Sequence, residues 1–513
     1  MPSSFRIAIL GGGTAGWICA AYLSQLIRSG RHTVCLIESD DIATVGVGEA
    51  TLPHLKDFND QLGIDEADFM RRTQASFKLG IEFRDWGKPG NSYIHPFGAY
   101  GQAWSGIEFH HHWLRAHRGG ARVAPLEDYN FAITAARAGR FDFPADDVRS
   151  VKSTYAYAYH FDAGLYAAYM RAFATARGVV RTEGRVTEVV RVETGDIRAL
   201  RLQSGEIVEG DLFVDASGFQ GLLIDKALNV GWEDWTPWLP CDAAWACPTS
   251  LRSDTKASGV ADDFTPYTRS IARKAGWQWR IPLQHRTGNG YVFSTAFTSE
   301  DDARETLLAH LDGPPDAEPR LLRFKAGRRL KSWQGNCVAI GLASGFLEPL
   351  ESTSIYLVQA AVTRLLALLP QGSPDPKLAA EFNRQIDVEY ERVRDFLILH
   401  YHANTREEPL WRHTRNTPIP DSLAAKIALF RTRGYIQTYR DGLFSPASWL
   451  AVYNGQDLPA EGYDPMADAL PPGVLAQRLD ELRSGIAEQV AAMPDHATRV
   501  ATFCRAPAMA GTA

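Results

Sequence analysis

The apolar positions of this chain fall into two rhythms, and the N-terminal stretch contains both. Phe5-Arg6-Ile7-Ala8-Ile9-Leu10 is a short apolar run that predicts a strand, and it stops at Gly11-Gly12-Gly13-Thr14-Ala15-Gly16. Residues 17–29 carry helical spacing, and Thr33-Val34-Cys35-Leu36-Ile37-Glu38 predicts a second strand that closes on an acid. Further on, residues 185–192, 197–202 and 207–214 alternate apolar and polar positions, with turns at Thr194-Gly195-Asp196 and Ser204-Gly205. The last of these runs into Asp215-Ala216-Ser217-Gly218. Residues 291–297 are β-rich, and residues 337–343 predict a buried strand that opens into a loop. Residues 355–369 predict a long apolar helix stopped at Pro370, and residues 371–376 a surface turn. Helical patterns at 380–402, 421–434 and 473–493 make the chain beyond about 400 mainly helical. The Ala/Gly/Pro-rich residues 505–513 predict a frayed tail.

The first strand–turn–helix–strand carries a chemical signal. Gly11, Gly13 and Gly16 form G-x-G-x-x-G between a strand and a helix, and Glu38 follows the last glycine by 22 residues. Glycines at such a turn let the backbone approach a pyrophosphate. The helix N-terminus stabilises its charge, and an acid at the end of the second strand suits a ribose hydroxyl. The pattern predicts dinucleotide binding. A strand ending on D-A-S-G would bring a second backbone turn towards the same cofactor.

Composition narrows the class. At roughly 150 residues per domain, 513 residues allow two to four domains or one large fold with insertions. Hydrophobic residues are 45% and charged residues 22%, which excludes a disordered or fibrous chain. Lys plus Arg is 54 against Asp plus Glu 60, and this mild acidity speaks against nucleic-acid or anionic-membrane partners. The six cysteines form no C-x-x-C, so neither a zinc knuckle nor a redox pair is expected. No signal peptide or membrane span is recognisable, and a cytoplasmic protein is expected. The 13 Trp, 18 Tyr and 24 Phe supply surface for a core or for a flat apolar ligand.

Other segments read ambiguously on residues alone. Lys78 lies in Ala75-Ser76-Phe77-Lys78-Leu79-Gly80-Ile81-Glu82-Phe83, where a lone lysine is ordinarily a snorkelling surface residue. Glu351 and Ser352, in Glu348-Pro349-Leu350-Glu351-Ser352-Thr353-Ser354-Ile355, read as a polar cap before a helix. Trp277 and Trp279 put two indoles on one side of an extended segment, either as core or as a wall beside a cofactor. His110-His111-His112 resembles a metal tag, yet consecutive residues do not share a face, so no metal site is expected. His400 and His402 read as structural.

Taken together, these segments resemble the flavin-dependent halogenases of the tryptophan halogenase family. The resemblance rests on the glycine turn, on Val45-Gly46-Val47-Gly48-Glu49-Ala50-Thr51-Leu52-Pro53, on the K-L-G-I match at Lys78, and on W-x-W-x-I-P at 277–282. It covers nearly the whole chain. It implies an α/β, glutathione-reductase-like FAD-binding fold with mixed β-sheets and a largely helical second module. The expected boundaries are 1–400, with substrate segments inserted at about 80–150, and 401–513.

The resemblance also assigns roles. Lys78 becomes the catalytic lysine, holding hypohalous acid or forming a haloamine. Glu351 becomes the second catalytic group, polarising that acid or taking the proton from the ring. The flavin falls to Gly11, Gly13, Thr14, Ala15, Gly16, Glu38, Ser39, Gly48, Glu49, Ala50, Val186, Leu342, Ser352 and the backbone of Lys78. Halide, chloride or bromide, falls to Thr353 and Ser354, where the family usually has glycine at the second position. His95 and Phe97, in H-x-F, sandwich a flat acceptor, with Trp449 as a further wall. The paired tyrosines and glutamate that grip free tryptophan are not recognisable near 440–460, so an indole-like acceptor is expected in place of the free amino acid. With no second G-x-G-x-x-G, FADH2 is expected from a separate reductase. The rival readings are a flavin monooxygenase, against which W-x-W-x-I-P argues, and a non-catalytic flavin-binding protein, which leaves Lys78 and Glu351 unexplained.

Overall fold

A computed structural model describes residues 4–41, 48–250, 264–439 and 442–507. The chain folds into two units that interleave along the sequence. One comprises Met1–Ala75, Phe161–Pro237 and Arg323–Glu391, the other Ser76–His160, Trp238–Leu322 and Arg392–Ala513. A single boundary near residue 400 therefore does not describe the architecture. The last crossing falls inside the Pro376–His402 helix.

The first unit is layered. Its central sheet runs in the order Trp333–Gln334, Cys337–Ala339, Leu212–Asp215, Phe5–Leu10, His32–Glu38, Val180–Glu183, all parallel except the first pair. Both faces are covered, so its central strands read as continuous apolar runs. The Thr14–Leu23 helix packs against Ala163–Thr175 and Thr353–Ala367. Ala8, Leu10 and Phe213 share a core with Ile197, Leu200 and Leu202 of a three-stranded antiparallel sheet, Val186–Arg191, Ile197–Leu202 and Ile207–Glu209. This is the expected mixed α/β arrangement.

Local chemistry moved several predicted bounds. The helix expected over 17–29 is α-helical over Thr14–Leu23 and tightens into a 3₁₀ segment, Ser24–Ser29, where Ser24 Oγ donates to the Ala21 carbonyl at 2.6 Å. The strand expected over 207–214 breaks into Ile207–Glu209 and Leu212–Asp215. At the break the Arg6 amide and guanidinium both donate to the Asp211 carboxylate, at 2.8 and 3.0 Å. The β-rich run expected to reach 297 ends with Arg286–Phe293, because the Thr295 amide turns onto Asp242 at 2.8 Å. Gly48–Ala50 is a short strand. Residues 45–47 and the end of the predicted tail, 508–513, lie outside the described residues. All six cysteines are free thiols.

The second unit is built on a large mixed sheet. Six of its strands run Ala243–Ala246, Arg286–Phe293, Gly276–Pro282, Thr268–Arg273, Gly80–Arg84, Ser92–Pro96. Only Thr268–Arg273 and Gly80–Arg84 pair in parallel. The Pro446–Gly455 helix docks on Ser92–Pro96. Gly455 is required there, since a Cβ would lie 2.2 Å from the Tyr93 ring. Asn91 Nδ2 donates to the Gly455 carbonyl at 2.8 Å, and Gln456 Nε2 to the Tyr93 hydroxyl at 3.0 Å. No helix among the described residues is long and apolar enough to cross a membrane.

Candidate active site

The glycine turn has the shape its motif requires. Gly11 has φ +120°, and a Cβ there would lie 2.2 Å from the Ala216 carbonyl oxygen; at Gly16 it would lie 1.8 Å from that of Gly11. Around Gly13, by contrast, a Cβ would meet nothing within 4 Å. Gly13 caps the Thr14–Leu23 helix without a side-chain bond, and the helix has no acid in its first turn. The positive end of this helix is therefore open and unopposed, which suits a diphosphate. Leu342 lies beside it. Its neighbour Gly341 has φ +68° and faces Ala15, where a Cβ would come to 2.8 Å. The residues present fit a flavin dinucleotide.

Two acids near this turn already serve the fold. Glu38 lies at the end of its strand and accepts from Trp17 Nε1 at 3.2 Å, while Arg171 and Arg181 pair with its other oxygen. A ribose hydroxyl would share a carboxylate that the protein itself holds in place. Asp215 is fully buried and accepts four bonds, from Ser217 N and Oγ and from the amides of Leu223 and Ile224, at 2.6–3.0 Å. The D-A-S-G segment is thus a turn locked by its own carboxylate. Ser39 is half-buried after the second strand, Glu49 sits mid-strand between Gly48 and Ala50, and Val186 packs its side chain into the antiparallel layer.

In the same unit, Glu351 begins a strained turn. Glu348, Glu351 and Ser352 all have positive φ, at 83°, 65° and 59°. Non-glycine residues adopt such values at a cost of order 1–3 kcal/mol each, and they collect at functional sites. Leu347 and Leu350, fully buried, pin the turn. Glu351 is 1% exposed. Thr353 and Ser354 open the Thr353–Ala367 helix, whose N-cap side chain does not cap it and whose first turn carries no acid. That geometry suits an anion.

Lys78 belongs to the second unit and is not a snorkelling residue. It ends the Ser76–Lys78 strand, is 0% exposed, and its Nζ lies 5.1 Å from the centroid of the Phe97 ring. Phe97 is tied to the same stretch, its amide donating to the Leu79 carbonyl at 2.9 Å. His95, on Ser92–Pro96, packs edge-on to Phe97 and Phe396 and lies 6.1 Å from Phe444. Phe396 and Phe444 stack at 3.8 Å, and Trp449 meets Phe396 edge-on at 5.1 Å. His95, Phe97 and Trp449 thus join one aromatic cluster through two residues the sequence reading did not single out. Phe396 hides in the apolar face of a long helix. Phe444 stands in the unclassified stretch before Trp449. Trp449 itself is 4% exposed and has Lys426 Nζ 5.2 Å from its ring, so it backs the cluster, whereas Phe444 is half-buried. Lys426 is neutralised by Asp395 at 2.7 Å, a buried carboxylate also engaged by Arg394 and Ser422.

The chain matches the family described as Tryptophan halogenase over residues 6–472. It is 39% identical over 456 residues to the tryptophan 6-halogenase ThaL of Streptomyces albogriseolus, covering 85% of this chain and 82% of that one. Among solved structures, BrvH, a flavin-dependent halogenase from Brevundimonas sp. BAL3, superposes with TM-score 0.93 at 48% identity over 98% of this chain and 100% of its own. Xcc4156, a flavin-dependent halogenase from Xanthomonas campestris, gives TM-score 0.93 at 44% identity over 99% and 100%. The chain belongs to the tryptophan halogenase family. It is an enzyme, a flavin-dependent halogenase, and flavin and halide are the cofactors its family implies.

Two motifs of this halogenase turn out to be structural. Trp277 and Trp279 are buried in the second unit's own core, Trp277 against Trp86 at 6.2 Å and Trp279 over Gly290, where a Cβ would come within 2.0 Å of its ring. His110, His111 and His112 start the Phe109–Arg118 helix and bond three different loops, through the Gly434 carbonyl, the Asp464 amide and the Trp104 carbonyl. Among the described residues no three His, Cys, Asp or Glu converge as metal ligands.

Proposed function

We propose that this halogenase acts on a flat, electron-rich, indole-type acceptor, with Lys78 and Glu351 as the reacting side chains and with FADH2 delivered by a separate reductase. The observation that carries the reading is the buried ammonium of Lys78 against Phe97, continuous with His95, Phe396, Phe444 and Trp449. Such a setting holds an electrophile away from water beside a ring that can attack it. Gly11, Gly13, Thr14, Ala15, Gly16, Glu38, Ser39, Gly48, Glu49, Ala50, Val186, Leu342 and Ser352 would hold the flavin, and Thr353 and Ser354 the chloride or bromide. When bound, reduced flavin with O2 supplies the oxidation of halide to hypohalous acid.

The protein's own groups do the rest. The Lys78 ammonium donates to the oxygen of the hypohalous acid, or its amine carries the halogen as a haloamine. By the first route the acceptor carbon forms its bond to halogen as the halogen–oxygen bond breaks, and the hydroxide leaves as water with a proton from Lys78; by the second, water leaves as the haloamine forms, and the halogen–nitrogen bond breaks as the acceptor carbon takes the halogen, its electron pair returning to the Lys78 amine. The Glu351 carboxylate takes the proton lost from the ring carbon. The two residues are then reset by proton exchange. No tyrosine pair followed by glutamate stands between 440 and 460, and the cation beside Trp449 is already neutralised, so the acceptor needs no amino-acid group.

A panel of indoles, phenols and pyrroles, assayed by mass spectrometry with bromide or chloride and a flavin reductase, tests the reading. Halogenated indoles support it, and a panel without any halogenated product refutes it. The purified chain with FAD and NADH alone is expected to be inactive.

A further inference from the structure

Among the described residues, the strand that carries Lys78 pairs with one neighbour. In its ladder with Ala158–Asp162, Ser76 stands opposite His160 and Lys78 opposite Ala158. The Phe77 N–H between them points away from that partner. It donates to Nε2 of His496, at 3.2 Å. Nδ1 of the same ring lies 3.0 Å from the Phe264 carbonyl oxygen. A carbonyl only accepts, so Nδ1 carries the proton and Nε2 carries none. His496 is therefore neutral and fixed in one tautomer, and burial pushes its imidazole down to about 4. The ring stacks on Phe264 at 4.7 Å and is 1% exposed. Its backbone is fixed too. The His496 amide donates to the Gly139 carbonyl at 2.9 Å, and Asp495 caps the His496–Cys504 helix by accepting the Thr498 amide at 2.8 Å.

The other edge uses a second histidine. Ser76 Oγ donates to the Pro282 carbonyl at 2.8 Å and accepts from His160 Nδ1 at 3.2 Å, while His160 Nε2 accepts from Thr268 Oγ1 at 2.9 Å. Burial first, then the Lys78 charge, hold the His160 imidazole well below its usual range. Each of the two residues before Lys78 is thus held by an uncharged imidazole.

We propose that His496 is a positioning residue for Lys78. A ring on a C-terminal helix takes the Phe77 amide as a strand carbonyl would, fixes the amide next to the lysine, and so aims the ammonium at the acceptor. The proposal rests on the role given to Lys78 above. Without the acceptor a buried N–H is stranded, and the strand moves to find another. A displacement of about 1 Å at a reacting group can cost about a hundredfold in rate.

The test uses the full chain with reductase-supplied FADH2, bromide and indole, and compares His496→Leu, His496→Phe and His496→Gln with the parent, alongside Lys78→Ala. Bromoindole per FADH2 oxidised, hypobromous acid trapped by a phenol dye, and deuterium exchange of the peptide spanning 76–79 are measured. The leucine and phenylalanine variants are expected to oxidise FADH2 within about twofold of the parent while losing about tenfold or more of the bromoindole per FADH2. They should release more hypobromous acid and exchange faster at 76–79. Glutamine, whose amide oxygen can accept the Phe77 N–H, should restore coupling and protection to within about threefold. Parental coupling in the leucine and phenylalanine variants, or lost coupling in a glutamine variant whose 76–79 peptide is protected, overturns the proposal. If neither apolar variant folds, the glutamine variant decides alone: parental coupling supports the proposal, and uncoupling at a parental Tm overturns it. Bromoindole retained by Lys78→Ala overturns the lysine reading itself. A silent Lys78→Ala beside a normal His496→Leu overturns only the role of His496.

Discussion

Replacing indole by tryptophan as the acceptor perturbs the site by one zwitterion, and the structure sets the size of the effect. The indole ring of either acceptor would meet the same aromatic cluster, worth about 0.5–1.5 kcal/mol per ring pair beyond area burial, so that term cancels. The ammonium and carboxylate of tryptophan do not cancel. Each needs partners when it leaves water, and a stranded charged group costs roughly 1–3 kcal/mol or more. The cation against Trp449 is Lys426, and Asp395 already holds it at 2.7 Å. Drawing Lys426 to the carboxylate would leave Asp395, 2% exposed, short of one partner. At the low end the two groups together cost about 2 kcal/mol, more than the 1.4 kcal/mol of a tenfold ratio, so kcat/KM should favour indole about tenfold or more. Equimolar indole and tryptophan, competing in one reaction with saturating bromide, give that ratio directly from the two brominated products. A ratio near one, or a preference for tryptophan, would show that the carboxylate and ammonium find partners in this chain and would refute the reasoning.

Lys78→Ala is expected to abolish halogenation while O2 still consumes FADH2, which product analysis beside flavin absorbance checks; retained product would remove the lysine from the chemistry. Glu351→Gln should cut turnover by about two orders of magnitude, the scale of losing a proton acceptor, with FAD affinity nearly unchanged; an unchanged rate would make Glu351 a helix-start residue only. Stability should fall on mild acidification. His110 and His496 are both lowered from 6.5 to about 4, chiefly by burial. Their contribution is complete above the unfolded value and is lost as pH falls from 6.5 towards 4, amounting to about 2 kcal/mol per group by about pH 5. Thermal melts from about pH 7.5 to 5 should show Tm declining, less so in His496→Gln; a flat profile would contradict it.

Much of the flavin-side unit was legible because its pieces are local. The Phe5–Leu10 strand, the glycine turn and the strand ending at Glu38 follow one another, and each has its own apolar period. The interleaving was not legible, since Gly80–Arg84 finds its parallel partner at Thr268–Arg273 through no local signal. Lys78 was ambiguous for the same reason. Its burial comes from segments far along the chain, including His160, Phe97 and the helix of His496. Trp277 and Trp279 share a face as their spacing predicts, but which face is covered by Trp86 and Gly290 depends on packing. Glu351 looked like an ordinary cap because a positive φ at a glutamate leaves no trace in the sequence. Phe396 and Phe444 were passed over because an aromatic in an apolar run looks the same whether it meets a ligand or a core.

A single turnover separates halogenation from oxygenation. The enzyme is loaded anaerobically with stoichiometric FADH2, then mixed with O2, bromide and indole, with no reductase present, and the products are read by mass spectrometry. Bromoindole is expected, marked by the bromine isotope doublet and no more abundant than the FADH2 supplied, without an oxygenated indole. Oxygenated indole without bromoindole would contradict it and turn the chain into a monooxygenase.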